Sequence, residues 1–286
     1  NEKIKSNKMI IKMAWRNIWR NKMRSFVIAF SIASGLFAGI AVLSLYKGMI
    51  KDRVRITIDT EVGHLQLHDS NFKKDYEAKY VIANGEDVLK KIEKIPEVKM
   101  AVQRTITMGM LSTTTGSSGV KINGIVPEKE YLASQLKKKI IAGRLFDNIR
   151  KNEVIIGGKL ADKMKIKSGS KLVLTFTDTA GNIIAGAFRV AAVYESANAP
   201  FDELNVYVKL NDINEMLLSG DAFHEIAILL NHDDDVADVK QLLQRQFPNY
   251  QIASWKEISP EMELMINTTN QLSYILIGII MFALAF

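Results

Sequence analysis

His64 and His68 stand four residues apart, a spacing that on a helix lets two imidazoles share a metal ion. Here they belong to His64-Leu65-Gln66-Leu67-His68, whose alternation is that of a strand. On a strand they lie about 13 Å apart along one face, so the pair is expected as two half-exposed sheet histidines. His232-Asp233-Asp234-Asp235 offers the carboxylate oxygens that a hard cation prefers. It lacks the glycine turn and distal glutamate of a cation loop, and acids are favoured at a helix start, so a solvated helix start is expected there. Glu261 and Glu263 are two positions apart on an expected helix and point away from each other, which disqualifies them as an acid–base pair. Gly116-Ser117-Ser118-Gly119 has neither the spacing nor the lysine of a phosphate-cradling loop. No GxSxG nucleophile turn occurs. With no cysteine, thiolate chemistry and disulfides are excluded. These residue types point to no catalytic group, no cofactor and no metal held by this chain.

The formal charge of +7 has an informative location. Residues 1–24 contain Lys3, Lys5, Lys8, Lys12, Arg16, Arg20, Lys22 and Arg24 against Glu2 alone, and the remainder carries 30 basic and 30 acidic groups. A balanced remainder gives no basic face for nucleic acid. Phe26 to Tyr46 follow as FVIAFSIASGLFAGIAVLSLY, 21 residues without a charge. About 20 suffice to span a bilayer as a helix, and a cleaved signal would have a shorter core of roughly 7–15 residues and a small-x-small site. A retained helix is expected. Cations stay inside, which places the N-terminus in the cytoplasm and residues 47–271 outside it. Leu272 to Phe286, LSYILIGIIMFALAF, is uncharged but too short to span. The natural chain is therefore expected to continue, with this sequence an N-terminal fragment carrying the start of a second span.

Gly35 and Gly39 form a GxxxG that either packs a second helix closely or reflects only the frequency of glycine in membrane helices. Met9 to Met23 is amphipathic. Trp15 and Trp19 face the interface while Arg16 and Arg20 fall mostly elsewhere, as in a headgroup-layer helix. That helix serves as a simple anchor or as a docking element for a cytoplasmic partner. Beyond Tyr46 the helical stripe continues through Met49, Ile50, Val54 and Ile58 and should end near Gly63. Ser259-Pro260-Glu261 is a good helix start, leading through Met262, Met265 and Ile266 into the second span. The stalk faces Met49, Val54, Ile58 and Met262, Met265, Ile266 either pack together or offer an apolar cargo surface, for which flexible methionines are suited.

Between the stalks, strand 64–68, a helix capped by Asn84 and stopped by Pro96, and strand 98–102 form one βαβ unit. Strand 225–230, a helix with Val236, Val239, Leu242, Leu243 and Phe247 stopped by Pro248, and a strand from Tyr250 form another. Packed as one sheet they make a split ferredoxin-like half. Residues 105–220 read as a mainly β insert, with strands over 171–176 and 187–194 joined by a turn at Gly181-Asn182. Short helices are expected over 127–134, 158–164 and 211–218. The fold class is a membrane protein with an α+β periplasmic domain. Its divisions are a cytoplasmic helix (1–25), a span (26–46), a stalk (47–62), a βαβ subdomain (63–104 and 221–258), the insert (105–220), and a second stalk with the start of a span (259–286).

AWRNIWRNKMRS before the span and TEVGHLQLHD after it resemble the corresponding segments of FtsX/MacB-type ABC transporter permeases, in the lipoprotein-releasing LolC/LolE branch. INGIVPEKE, AGRLF, NEVIIGGKLADKMKIKSGSKLVL and FRVAAVYES resemble the sequence run of that branch's periplasmic domain. The resemblance implies a permease of four spans, two represented here, with the βαβ units as its porter subdomain and the insert as its sabre subdomain. It implies that ATP and Mg²⁺ are handled by a separate cytoplasmic ABC ATPase. It further implies a second permease copy or paralogue, a lipid membrane and a lipoprotein or periplasmic carrier as partners, and amphipathic cargo. Two other readings share the layout: a sensor with a periplasmic input domain, and a mechanotransmission permease that regulates a wall hydrolase.

The charge asymmetry makes a labelling prediction. In cells with a permeable outer membrane, Ser117→Cys should react with an impermeant thiol reagent and Ser6→Cys should not; the reverse pattern would invert the topology.

Overall fold

The computed structural model describes residues 13, 15–16, 19–147 and 149–285. Met13, Trp15, Arg16, Trp19 and Arg20 are helical, and the helix is interrupted at Asn21. The rest of the amphipathic stretch expected over 9–23 that precedes Trp19 lies outside the described residues. Helix α1 (Lys22–Thr57) then runs unbroken for 36 residues. Its uncharged stretch satisfies backbone groups within the helix, and Ser31 Oγ folds back onto the Val27 carbonyl at 2.8 Å. A π-helical turn, Ile58–Val62, closes it. Gly63, at φ +79°, donates its N–H to the Ile58 carbonyl and turns the chain into the sheet, a left-handed conformation that glycine adopts without a Cβ clash.

The chain continues through β1 (Leu65–Asp69), α2 (Phe72–Asp75), α3 (Gly85–Ile92), β2 (Val98–Thr113), β3 (Gly116–Ile125), α4 (Pro127–Ala133) and α5 (Leu136–Lys139). Next come β4 (Ile140–Gly143), β5 (Glu153–Gly157), α6 (Gly158–Met164), β6 (Lys171–Thr177), β7 (Ile183–Tyr194), α7 (Ala199–Leu204) and β8 (Asn205–Lys209). The last elements are α8 (Leu210–Leu217), β9 (Glu225–Leu230), a 3-10 turn (Asp233–Asp235), α9 (Val236–Gln246), β10 (Tyr250–Ser254), α10 (Trp255–Ile258) and α11 (Pro260–Ala285). Both α1 and the stretch from Pro260 to Phe282 are long and apolar enough to cross a membrane. Two compact units result: the described residues up to Asp52 with those from Glu261 onward, and Arg53–Pro260.

Within Arg53–Pro260, β10, β1, β9 and β2 lie side by side in antiparallel pairs. This is the strand order of a ferredoxin-like half, assembled from the two ends of the domain. Leu65 and Leu67 point into one core with Ile226, Ile228, Leu89, Ile92 and Leu243, while Gln66 and His68 occupy the opposite face. Helix α3 starts after Asn84, which takes a left-handed conformation and makes no side-chain cap bond, unlike the capping role expected of it.

The insert is a barrel. β2 pairs with β3, β3 with β8, β8 with β5, β5 with β7, β7 with β6, and β6 returns to β2, closing a circuit of six strands. β4 adds to β7 outside it. Closure removes the exposed edges of an open sheet. Its interior holds Leu111, Ile122, Val154, Ile156, Leu174, Phe188, Val190 and Val208, with Leu160 of α6 and Ile213 of α8 packed into the same cluster. The β6–β7 turn is held by Asp178, whose Oδ1 accepts from the backbone of Ala180 and Asn182 at 2.9 and 2.8 Å. Gly116–Gly119 opens strand β3 opposite Met110–Thr113. The boundary placed at 104/105 falls inside β2, one 16-residue strand common to both sheets, because its ladder partner changes there while its backbone does not.

Arg53–Pro260 carries its own cores, so it should be soluble and melt cooperatively when produced alone. Within it Leu174→Ala should cost about 2–5 kcal/mol in urea unfolding, whereas Ile183→Ala, 79% exposed, should stay within about 0.5 kcal/mol. Equal costs would mean that the barrel interior is wrongly assigned.

Candidate functional site

A row of charge is buried on the sheet face opposite the α3/α9 core. In the register, Glu225 of β9 stands directly between His68 of β1 and Arg104 of β2. His68 and Glu225 are 1% and 2% exposed. Glu225 Oε2 lies 3.0 Å from His68 Nε2, and since a carboxylate only accepts, Nε2 carries the proton. Its Oε1 accepts from Arg104 Nη1 at 3.1 Å. Helix α4 covers this face and sets Glu130 against Arg104, which donates from Nη2 and Nε at 2.7 and 3.0 Å in a bidentate fork. A further Arg104 bond reaches the backbone carbonyl of Glu61, in the π-helical turn ending α1, at 3.3 Å. The Glu61 carboxylate accepts from Asn198 Nδ2 at 3.1 Å, and Asn198 Oδ1 caps α7 at Phe201 N.

Electrostatics follow from this geometry. Burial opposes the charged form of Glu225, yet the His68 hydrogen bond and the positive charges of Lys121 and Arg104 hold it well below the usual carboxylate range. Burial keeps His68 below the usual imidazole value, against the pull of Glu225. Burial also raises Glu61, against the Asn198 hydrogen bond. It lowers Lys73 and Lys121, which the charge of Glu225 resists. These groups surround a cavity of about 90 Å³ lined also by Gln66, Tyr76, Asn123 and Tyr207.

His64 and His68 are buried, which corrects the half-exposed placement expected of them. Both find acid partners, Asp233 at 2.9 Å and Glu225, that make burial tolerable. His224 is buried too: its Nδ1 accepts from Ile106 N and its Nε2 donates to the Ala78 carbonyl, a neutral tautomer fixed from both sides. Among the described residues no cluster of three or more His, Asp or Glu could hold a metal. Sequence reasoning missed Arg104, Glu130 and Glu225. For Glu225 the available signal was a charge in a strand otherwise read as apolar, since a buried charge requires a partner; Arg104 lay beyond the strand read over 98–102, and Glu130 lies on a short helix.

Trp15 and Trp19 are exposed with ring centres 6.2 Å apart, and the Lys22 ammonium lies 5.6 Å from the Trp19 ring. Arg16 and Arg20 are exposed on the same helical stretch. A Cβ added at Gly39 would fall 2.9 Å from Ile280 Cδ1 of α11, while Gly35 has no such neighbour among the described residues. On α1 the less exposed positions include Leu36, Gly39, Leu43, Ile50 and Val54, which recur at helical spacing, with Ala41 off that line. Met49 is 70% exposed and stands about 140° around the helix from Val54, so it does not share that face. Val54, Ile58 and Met262 are buried; Met265 and Ile266 are half-buried. Val54 and Ile58 fall in the unit Arg53–Pro260, and the other four in the unit formed by the apolar helices.

The class is thus a mixed α/β domain carried between two helices of membrane-spanning length and composition. The family model for the MacB-like periplasmic core domain matches residues 25–246. The chain belongs to that family, the periplasmic domains of FtsX/MacB-type ABC transporter permeases. It is similar to the extracellular domain of the ABC-type transporter YknZ from Gram-positive bacteria, at 16% identity and TM-score 0.44, over 66% of this chain and 99% of that one. It is also similar to the periplasmic region of MacB from Actinobacillus actinomycetemcomitans, at 14% identity and TM-score 0.49, over 75% of this chain and 98% of that one. No curated protein matches the chain.

The buried row makes stability depend on acid. His68 and His224 have folded pKa values below the unfolded ~6.5. As pH falls through ~6.5 the unfolded chain takes up protons that the native one refuses, and stability drops. Glu225 adds a second loss below ~4.3, where its unfolded form protonates. The urea midpoint should therefore fall from pH ~7.5 to ~5.5 and again below ~4.3, and Glu225→Ala should cost about 3–5 kcal/mol at neutral pH. A flat profile would exclude this accounting.

Proposed function

We propose that this chain is the permease subunit of an ABC transporter of the bacterial inner membrane, anchored by α1 and α11 with residues 47–271 outside the cytoplasm. It passes motion from a separate cytoplasmic ATPase, which holds ATP and Mg²⁺, to the extracytoplasmic domain. Family membership supports the transporter part. The observation that carries the coupling is the end of α1. One helix of 36 residues, about 54 Å long at 1.5 Å per residue, finishes in a turn whose Glu61 is bonded to Arg104 of β2 and Asn198 before α7. Displacement of that helix bears directly on both the ferredoxin-like sheet and the barrel side.

In this reading Trp15, Arg16, Trp19 and Arg20 dock the ATPase at the headgroup layer, and a second permease copy or paralogue completes the complex. Gly39 permits the close approach of a helix. The cargo is amphipathic, of the lipoprotein type that the LolC/LolE-like segments imply, passed to a periplasmic carrier. Of the six stalk residues the sequence singles out, Met49 of α1 and Met265 and Ile266 of α11 are its proposed surface, since Val54, Ile58 and Met262 are buried.

Purified from membranes in mild detergent, the chain should bring a nucleotide-binding subunit with it. Recovery of a kinase or adaptor instead would favour a sensor. Photo-crosslinkers at Met49 and Met265 should capture lipid or lipoprotein. Crosslinks confined to the chain's own helices would remove the cargo surface, and ATP-dependent control of a wall hydrolase without cargo capture would favour mechanotransmission.

A further inference from the structure

The cavity beside Glu225 holds about 90 Å³, room for roughly three water molecules. Its polar lining is unevenly satisfied. Arg104 and Glu225 are engaged by Glu130, His68 and each other. The ammoniums of Lys73 and Lys121 have no ion-pair partner among the described residues, and Lys73 makes only a 3.5 Å bond to Gln66 Oε1. The hydroxyls of Tyr76 and Tyr207 have no hydrogen-bond partner there either. Against these donors stand two unmet buried acceptors, Glu61 Oε1 and His68 Nδ1. Burial favours the neutral form of Glu61, which lessens its repulsion of an anion. Lys73 and Lys121 both bear electrostatically on His68, so the cations and the unmet nitrogen share one locale.

We propose that this cavity is a binding site for a small oxyanion of phosphate type, held between Lys73 and Lys121 with Tyr207 as a neutral donor. Excess donors call for an acceptor-rich ligand, and two cations in a half-enclosed space favour a negative one. A singly protonated oxyanion also supplies the one O–H that His68 Nδ1, a lone-pair acceptor in this tautomer, leaves unmet. The volume admits a phosphate and excludes a nucleotide. The site is independent of whether the cargo is a lipoprotein, and it uses none of the apolar surface proposed for cargo.

The test uses the full chain in a non-ionic detergent, titrated with inorganic phosphate against chloride at equal ionic strength. Binding is followed by phosphorus NMR line broadening and by melting temperature. Phosphate should broaden saturably and raise the melting temperature beyond the chloride control. Lys121→Met and Lys73→Met should each weaken the apparent affinity at least tenfold. Lys151→Met, which breaks an exposed pair with Glu215, should leave it unchanged. If Lys121→Met fails to fold, the half-exposed Lys73 carries the test. Displacement of phosphate by a short-chain phosphatidylglycerol would identify a lipid headgroup as the source of the oxyanion, and its failure to compete a free anion. Equal effects of phosphate and chloride, or wild-type affinity in Lys73→Met, would overturn the site and leave only screening by salt.

Discussion

A single buried guanidinium fixes how the parts of the extracytoplasmic domain meet. Arg104 lies where β2 ends its pairing with β9 and takes up β3, opposite Glu225 on one side and Ile125 on the other. Its donors reach a glutamate on α4, a glutamate on β9 and a carbonyl in the turn that ends α1. An arginine removed from water is tolerable only with such partners, and their positions cannot shift separately without leaving one of them unmet. The register of β9 against β2, the seat of α4 and the exit of α1 are therefore specified together. An apolar replacement of the set could match its stability, since buried ion pairs gain little over good packing, but it would not impose the same geometry.

The same economy explains why the polar row lies between dry cores. The ferredoxin-like sheet buries Leu65, Leu67, Ile226 and Ile228 on its helical face. The barrel buries its own cluster around Leu174 and Ile156. Those two bodies supply burial energy that scales with apolar area. The surface between them need only specify, and it can hold water or an ion because its groups are polar and incompletely matched.

Much of the frame was legible in the sequence, for identifiable reasons. The two βαβ units have clean alternation, apolar helix faces and proline stops, and they appear as β1–α3–β2 and β9–α9–β10. Helix α6 falls over 158–164 as anticipated, after a glycine pair that ends one strand and starts a helix. What escaped was non-local. β8 is five residues long and pairs with β3 84 positions before it, as Asn123 against Tyr207; closure of a barrel leaves no mark in any short window. The 104/105 boundary failed for the same reason, since a strand that changes partner keeps its own pattern. Asn84 precedes a helix as a cap residue should, but asparagine also tolerates the left-handed conformation it adopts here. His68 looked surface-exposed because its partners, Glu225 and the helix that covers the face, lie far along the chain.

The shared strand also sets how the domain answers a pull. Antiparallel ladder bonds run perpendicular to their strands, so tension along β2 is borne as shear by its whole ladder with β9 and β3 at once. A sideways force at either end would instead peel those bonds in sequence. Arg104 is the residue at which the two ladders meet, so β2 gives the two subdomains a joint that is stiff along the strand and compliant across it.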